Sequence, residues 1–284
     1  MVVFLNGQFV AEERAVVSVF DRAFLYGDGL FETIPILGRM PFRWDQHLER
    51  LERGASFLGI ATPFSAAQLR KSLERLLQEN SMADALLRLT LSRGTGLRGY
   101  SPKGADKPLA IMSLHPAVAL NSSQPFQWQL ITSSFRLPAN EPLAQFKTCN
   151  KLPQILARAE AEAANADEAV LLNTNGHVVE AASSNLFWVE HGNVCTPPLN
   201  SGILAGVTRS IVIEQCCKLN LPTRETNLKP DQLPATDGVF LSLSSLGIAE
   251  AISFDGHPLP CSPVTARIYA AYLELLRSET TPLG

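Results

Sequence analysis

Five two-residue turns do most to limit what this chain can become: Asn6-Gly7, Gly38-Arg39, Asn175-Gly176, His191-Gly192 and Asp255-Gly256. The Asn-Gly pair at residues 6 and 7 suits the positive φ angles of a type I′ turn, which matches the twist of paired strands. It separates Val2–Leu5 from Gln8–Ala11. The others follow the same plan. Leu30–Leu37 turns into Met40–Arg43, Glu168–Leu172 into Val178–Ala181, and Asn185–Val189 into Asn193–Thr196, while Asp255-Gly256 ends Ile248–Phe254. A chain so punctuated is predicted to be rich in hairpins.

Further strands are predicted from alternation. Leu87, Leu89 and Leu91 alternate with Arg88, Thr90 and Ser92, the mark of a half-buried strand. Phe126, Trp128 and Leu130 alternate with glutamines in an extended run to Ser134, and Val16–Phe20, Leu109–Leu114 and Val239–Leu243 are also extended. Helices lie between these runs. Asp45 is placed to cap one bearing Leu48, Leu51, Ala55 and Leu58. Ser65 to Gln68 reads as a capping box for a second helix ending near Asn80. Asn150 starts a third, with Ile155, Leu156 and Ala159, and Val207–Leu219 and Pro263–Leu276 complete the set. The fold class is α+β. The stretch His115–Pro125 lacks periodicity and is rich in Pro, Ser and Asn, so residues 119–125 are predicted to link a domain over 1–118 to one over 126–284.

Composition narrows the function. The chain has 284 residues, 46% hydrophobic and 18% charged, enough for a sizeable core in two domains. A formal net charge of -3 implies no basic face and no nucleic-acid partner. No run approaches the roughly 20 apolar residues of a membrane span, and the short apolar start lacks the form of a signal peptide. Five cysteines without Cys-x-x-Cys spacing fit a reducing, cytoplasmic setting, and adjacent Cys216 and Cys217 fit packing rather than metal, so no metal site is expected. No Gly-x-Gly-x-x-Gly both follows a strand and opens a helix, which argues against a dinucleotide fold.

Three features stand out as chemistry. Lys147, in Phe146-Lys147-Thr148-Cys149-Asn150, lies between an extended segment and a helix. Glu180 sits downstream in Val-Val-Glu-Ala-Ala-Ser-Ser-Asn, and Gly202–Gly206 feeds a helix start, where unpaired N–H groups bind anions. A fourth is ambiguous. Arg93 to Tyr100 is a glycine-rich loop with two arginines and a tyrosine, able to hold a carboxylate or simply a flexible surface loop. The glycines of Asp21 to Gly29 likewise suit a loop with close backbone approach or a tight turn. Arg50 lies off its helix's apolar stripe, as a solvated arginine does.

Taken in order, several motifs resemble one family over nearly the whole chain, the fold-type IV (class IV) pyridoxal-phosphate enzymes. They are Asp21-Arg22 with Gly27 to Glu32, His47 to Leu51, Lys147 to Asn150, Asp167-Glu168-Ala169, Glu180 with Ser183 to Phe187, and Gly206 to Arg209. The resemblance implies a two-domain fold, with a small N-terminal α/β domain and a larger strand-rich C-terminal one, a homodimer, and pyridoxal 5′-phosphate as cofactor. It implies that Lys147 is the Schiff-base and proton-moving lysine and that Glu180 keeps the pyridine nitrogen protonated. Arg50, Val207, Thr208 and Ser244 would bind the phosphate, and His47 would be structural. Phe31, Thr33, Arg98, Tyr100 and the amides of Ser245 and Leu246 would meet a small-molecule substrate. The loop Ser92 to Ser101 and Thr33 are similar to 4-amino-4-deoxychorismate lyase. Leu152 replaces a tyrosine common in branched-chain aminotransferases, but Leu243 departs from the asparagine usual in lyases. Aminotransferase activity on D-amino acids, or on branched-chain amino acids, is the alternative, and a non-catalytic cofactor-binding protein is a third.

Overall fold

The computed structural model describes residues 1–281. They divide into two compact units. The first comprises Met1–Val118, Phe146–Asn150 and the described residues from Ser278 on, and the second comprises Ala119–Gln145 and Lys151–Arg277. Phe146–Asn150, placed by sequence in the second half, thus clusters with the first. Residues 119–125, expected to be a linker, cluster with the second, where the Tyr269 hydroxyl donates to the Asn121 carbonyl at 2.5 Å.

The first unit is built on β1 (Val2–Leu5), β2 (Gln8–Ala11), α1 (Arg22–Tyr26), β3 (Gly29–Leu37), β4 (Met40–Pro41), α2 (Trp44–Leu58), α3 (Ala66–Glu79), β5 (Ala85–Ser92) and β6 (Leu109–Pro116). Its strands form one sheet in the order β2-β1-β6-β5-β3-β4, every neighbour antiparallel. Leu30, Ile34, Ile36, Leu87, Leu89 and Leu91 are buried with Leu48, Leu51, Leu73 and Leu76 of α2 and α3 in one core. The predicted I′ turn forms at Asn6 (φ 48°) and Gly7 (φ 92°), and Ser65 and Gln68 make the reciprocal capping box.

Three expectations for this unit change. Asp21–Gly29 holds a short helix besides the expected close backbone approach, which is present at Gly29, where a Cβ would stand 2.7 Å from the Leu91 carbonyl oxygen. Asp21 Oδ1 accepts the Ala23 and Phe24 N–H groups and caps the short helix α1, which ends at Gly27 in the left-handed region, φ 70°. Asp45 does not cap α2. Trp44 is buried and already helical, so Arg43 takes the cap position and Asp45 falls in the first turn. Val16–Phe20 pairs with no strand, and Val16, Val19 and Phe20 are exposed.

The second unit contains β7 (Phe126–Leu137), α4 (Leu152–Ala163), β8 (Glu168–Asn173), β9 (Val178–Ala181), β10 (Asn185–Glu190), β11 (Asn193–Thr196), α5 (Val207–Lys218), β12 (Thr223–Glu225), β13 (Gly238–Leu243), β14 (Gly247–Phe254), β15 (His257–Pro258) and α6, whose span Pro263–Thr280 ends in the first unit. The sheet runs β12-β11-β10-β13-β14-β7-β8-β9, and β9 pairs back to β10 through Glu180 and Asn185. Six strands therefore close into a ring. All residues of β8, β9 and β13 are buried, as in a sheet covered on both faces. α4 begins at Leu152, with proline in its first turn, rather than at Asn150. Its buried positions are Ala157 and Ala161, whose small side chains allow close approach to the sheet, while Ile155 and Leu156 are exposed.

Candidate functional site

In the first unit, the segment at Lys147 is laid alongside β3. Phe31 N–H donates to the Lys147 carbonyl at 2.9 Å and Cys149 N–H to the Gly29 carbonyl at 2.9 Å, with Leu30 and Thr148 as bridge partners. This places Lys147 Nζ 4.7 Å from the centre of the Phe31 ring. The Arg88 guanidinium carbon stands 3.9 Å from the same centre. Thr33, two residues along the strand, shares the Phe31 face and is paired with Arg88. Phe31, Thr33 and Lys147 are thus brought together. Arg88 was legible only as a polar position in an alternating strand.

Arg50 is buried, 4% exposed, contrary to its reading as a solvated residue. His47, Arg50 and Gly54 recur at helical spacing and face β3 beside the leucine stripe. The reason Arg50 can be buried is Glu32. Arg50 Nε donates to Glu32 Oε1 at 2.7 Å and Nη2 to Oε2 at 2.6 Å, a bidentate pair, and His47 Nδ1 lies 2.7 Å from Oε2. Burial would raise the Glu32 carboxyl, but the Arg50 charge and the hydrogen bonds from His47 and Arg50 outweigh it and hold it at about 2. The carboxylate can only accept, so His47 Nδ1 carries the proton and donates. His47 is pushed below its ordinary range chiefly by burial, with the Arg50 and Lys147 charges adding and Glu32 opposing. Glu32 was missed as a functional residue; its place three residues before the β3 proline, amid apolar neighbours, was the available sign.

Arg98 and Tyr100 are exposed, Tyr100 by 88%, yet their loop is not a loose one. Buried Arg22 donates to the carbonyls of Gly99 and Ser101 through Nη1, at 3.0 and 3.1 Å, and to that of Tyr100 through Nη2 at 3.0 Å.

In the second unit, Glu180 is buried on β9 at the seam of the strand ring, across from Asn185 on β10. The two hold the approach to α5 between them. Leu204 N–H donates to Glu180 Oε2 at 2.9 Å, and Asn185 Nδ2 donates to the Leu204 carbonyl at 2.9 Å. Gly206, which precedes α5, makes no side-chain cap, and a Cβ there would stand 2.0 Å from Asn185 Oδ1. Val207 and Thr208 open the helix, and Thr208 Oγ1 lies 3.5 Å from Ser244 Oγ. Ser244, Ser245 and Leu246 form the turn between β13 and β14; Gly247 (φ 71°) follows, where a Cβ would strike the Tyr272 ring.

Pyridoxal phosphate asks for an amine, a carboxylate for its ring nitrogen, and N–H and hydroxyl groups for its phosphate. The residues fit. An amine over an aromatic ring and a buried arginine are in the first unit. A buried carboxylate, an uncapped helix start and two facing hydroxyls are in the second. Among the described residues, no cluster of three or more His, Cys, Asp or Glu could hold a metal, and no helix is long and apolar enough to cross a membrane.

Residues 29–254 match the family model described as amino-transferase class IV. A chain from Methanocaldococcus jannaschii provisionally named a branched-chain-amino-acid aminotransferase is 34% identical over 256 residues, covering 90% of this chain and 88% of that one. The aminodeoxychorismate lyase of Bacillus subtilis is 32% identical over 248 residues, covering 87% and 84%. The crystal structure of Escherichia coli branched-chain amino acid aminotransferase superposes with a TM-score of 0.91 at 29% identity, covering 99% of this chain and 96% of that one. The chain belongs to the class IV aminotransferase family and is a pyridoxal-phosphate-dependent enzyme of α+β, two-domain fold.

Proposed function

We propose that this enzyme is a 4-amino-4-deoxychorismate lyase, which releases pyruvate and forms 4-aminobenzoate, a step toward folate. The observation that carries the reading is the group at β3: Lys147 Nζ over the Phe31 ring, with the Thr33 hydroxyl on the same strand face. A base, an apolar plate and a neutral hydroxyl suit a cyclic substrate that carries an amine beside an ether oxygen, which a hydroxyl can donate to. The lyase-like loop ending in Arg98 and Tyr100 supports it.

The cofactor supplies an electron sink for the carbon next to the substrate amine. Lys147 would hold it covalently through Nζ. Lys147 Nζ, as a free amine, would take the ring proton from the carbon that bears the substrate amine. The carbon–oxygen bond to the enolpyruvyl group then breaks, a proton returns to that group, and it leaves as pyruvate while the ring becomes aromatic. Glu180 would accept the hydrogen bond of a protonated pyridine nitrogen. Arg50, the Val207 and Thr208 amides and the Thr208 and Ser244 hydroxyls would bind the phosphate. Glu32 and His47 would aim the Arg50 guanidinium. Arg98 and Tyr100, with the Ser245 and Leu246 amides, would receive substrate carboxylate groups.

A second reading has its own support. Leu243 is buried and apolar where lyases usually carry asparagine, so it offers no hydrogen bond to that substrate. Transamination of D-amino acids would use the same lysine. Two assays separate the readings. Cofactor-loaded protein given aminodeoxychorismate should yield 4-aminobenzoate and pyruvate in equal amounts. With D-alanine alone, its visible absorbance should persist. Conversion to a near-ultraviolet band at a rate exceeding 4-aminobenzoate formation would give the aminotransferase reading the lead.

We also propose a homodimer. Val16, Val19, Phe20 and Phe24, with Leu97 and Tyr100, expose large apolar surface in the first unit, and an isolated chain rarely leaves so much uncovered. Five free cysteines suit the cytoplasm.

A further inference from the structure

Arg22 has no role in the chemistry described above, yet it is among the most fully engaged side chains of the first unit. It is buried, and its Nε donates to Asp28 Oδ2 at 2.7 Å. Its other nitrogens gather the carbonyls of three consecutive residues, Gly99, Tyr100 and Ser101. The guanidinium lies 5.1 Å from the centre of the Tyr26 ring. Tyr26 in turn touches the same loop twice. Its hydroxyl accepts the Gly99 N–H at 3.3 Å, and its ring meets Tyr100 edge-on at 5.6 Å. Asp28 is itself fixed. Arg93 donates to both its oxygens, at 2.7 and 3.0 Å, and to the carbonyls of Gly59 and Leu58. The frame therefore runs from the end of α2 through Arg93, Asp28 and Arg22 to the backbone of the loop.

A loop with glycine at 94, 96 and 99 loses much conformational freedom when it is fixed. Where the loop is fixed beforehand, a ligand does not bear that cost on binding. We propose that Arg22, anchored on Asp28 and aided by Tyr26, is the positioning residue of the substrate-carboxylate loop, holding residues 99–101 so that Arg98 and Tyr100 project from a fixed backbone. The proposal rests on the reading that this loop receives a substrate carboxylate. Within the loop Arg22 hydrogen-bonds backbone carbonyls alone, and so it acts through Arg98 and Tyr100. A lysine could keep the Asp28 pairing but could not span three carbonyls.

The test uses cofactor-loaded protein and propionate, which carries a carboxylate but no reactive amine or keto group, with binding followed by the cofactor's absorbance. Arg22→Gln should raise the propionate dissociation constant about tenfold, leave the starting spectrum unchanged, and speed trypsin cleavage after Arg98. Arg98→Ala should weaken propionate to a similar degree, and Arg22→Gln on top of it should add nothing, because the two act as one unit. Tyr26→Phe, a milder change, should weaken propionate in the same direction and keeps the test alive if Arg22→Gln does not fold. Wild-type propionate binding in Arg22→Gln and Tyr26→Phe, with weakened binding in Arg98→Ala, would overturn the positioning role. So would additive effects in the double variant. Unchanged binding in Arg98→Ala would overturn the reading of the loop itself.

Discussion

Glu32 decides whether a cation can be buried at residue 50. Arg50 and Glu32 are 4% and 1% exposed, and removing one partner of such a pair leaves a charge uncompensated. Glu32→Gln should cost roughly 3–5 kcal/mol by urea unfolding, and cofactor affinity should fall with it. A stability unchanged within error would show that the pair is not the support described. The same carboxylate fixes the response to acid. Glu32 is held at about 2 against an ordinary 4.5, so its contribution is present above about pH 4.5 and is lost as pH falls toward 2. His47 is lowered from 6.5 and buried neutral, so protonation of the unfolded chain erodes stability from about pH 6.5 downward. Urea midpoints should therefore decline in acid from near pH 6.5, and His47→Gln should remove the first part of that decline. Neither Arg50 nor Glu32 was legible from periodicity, which counts apolar positions and assigns charges to solvent. Only the family resemblance gave Arg50 a role, and it assigned none to Glu32, whose one sign was a charge set among the apolar residues of β3. The role proposed for Lys147 rests in the same way on its motif, since a lone lysine carries no pattern.

Two glycines join elements closely enough that a methyl group would disturb the site. Gly27 ends α1 at φ 70°, and a Cβ there would stand 2.1 Å from Asn150 Oδ1, three residues from Lys147. Gly27→Ala should lower turnover at least about tenfold through displaced Lys147 geometry, with the fold retained by circular dichroism. Gly206→Ala would press on Asn185, which holds the Leu204 carbonyl before α5. Its predicted effect is a tenfold or greater rise in the cofactor dissociation constant, on the order of 1.4 kcal/mol, measured by equilibrium titration. Hairpins were the most legible elements because their turns are local. Asn6-Gly7 has the required positive φ angles on its own account. Helix starts were less so. Asn150 has capping chemistry, but its side chain is placed against Gly27, and α4 starts two residues later.

At the scale of the whole molecule, the α+β class followed from hairpins alternating with helical stripes. The closing of β9 onto β10 did not, because it joins strands through a single residue pair that no local pattern marks. The return of Phe146–Asn150 to the first unit was equally hidden, since long-range docking leaves no periodicity. The exposed apolar residues make a prediction at this scale. The native protein should sediment as a dimer, and Phe20→Glu with Phe24→Glu should shift it toward monomer. A wild-type monomer at micromolar concentration would contradict the dimer.

The account turns on Lys147 as the covalent anchor of the cofactor. The most direct test is borohydride reduction of the cofactor-loaded protein, followed by peptide mapping. The phosphopyridoxyl group should be found on the peptide containing Lys147, and Lys147→Ala protein should carry none. A label on any other lysine, or full labelling in the Lys147→Ala variant, would contradict the account.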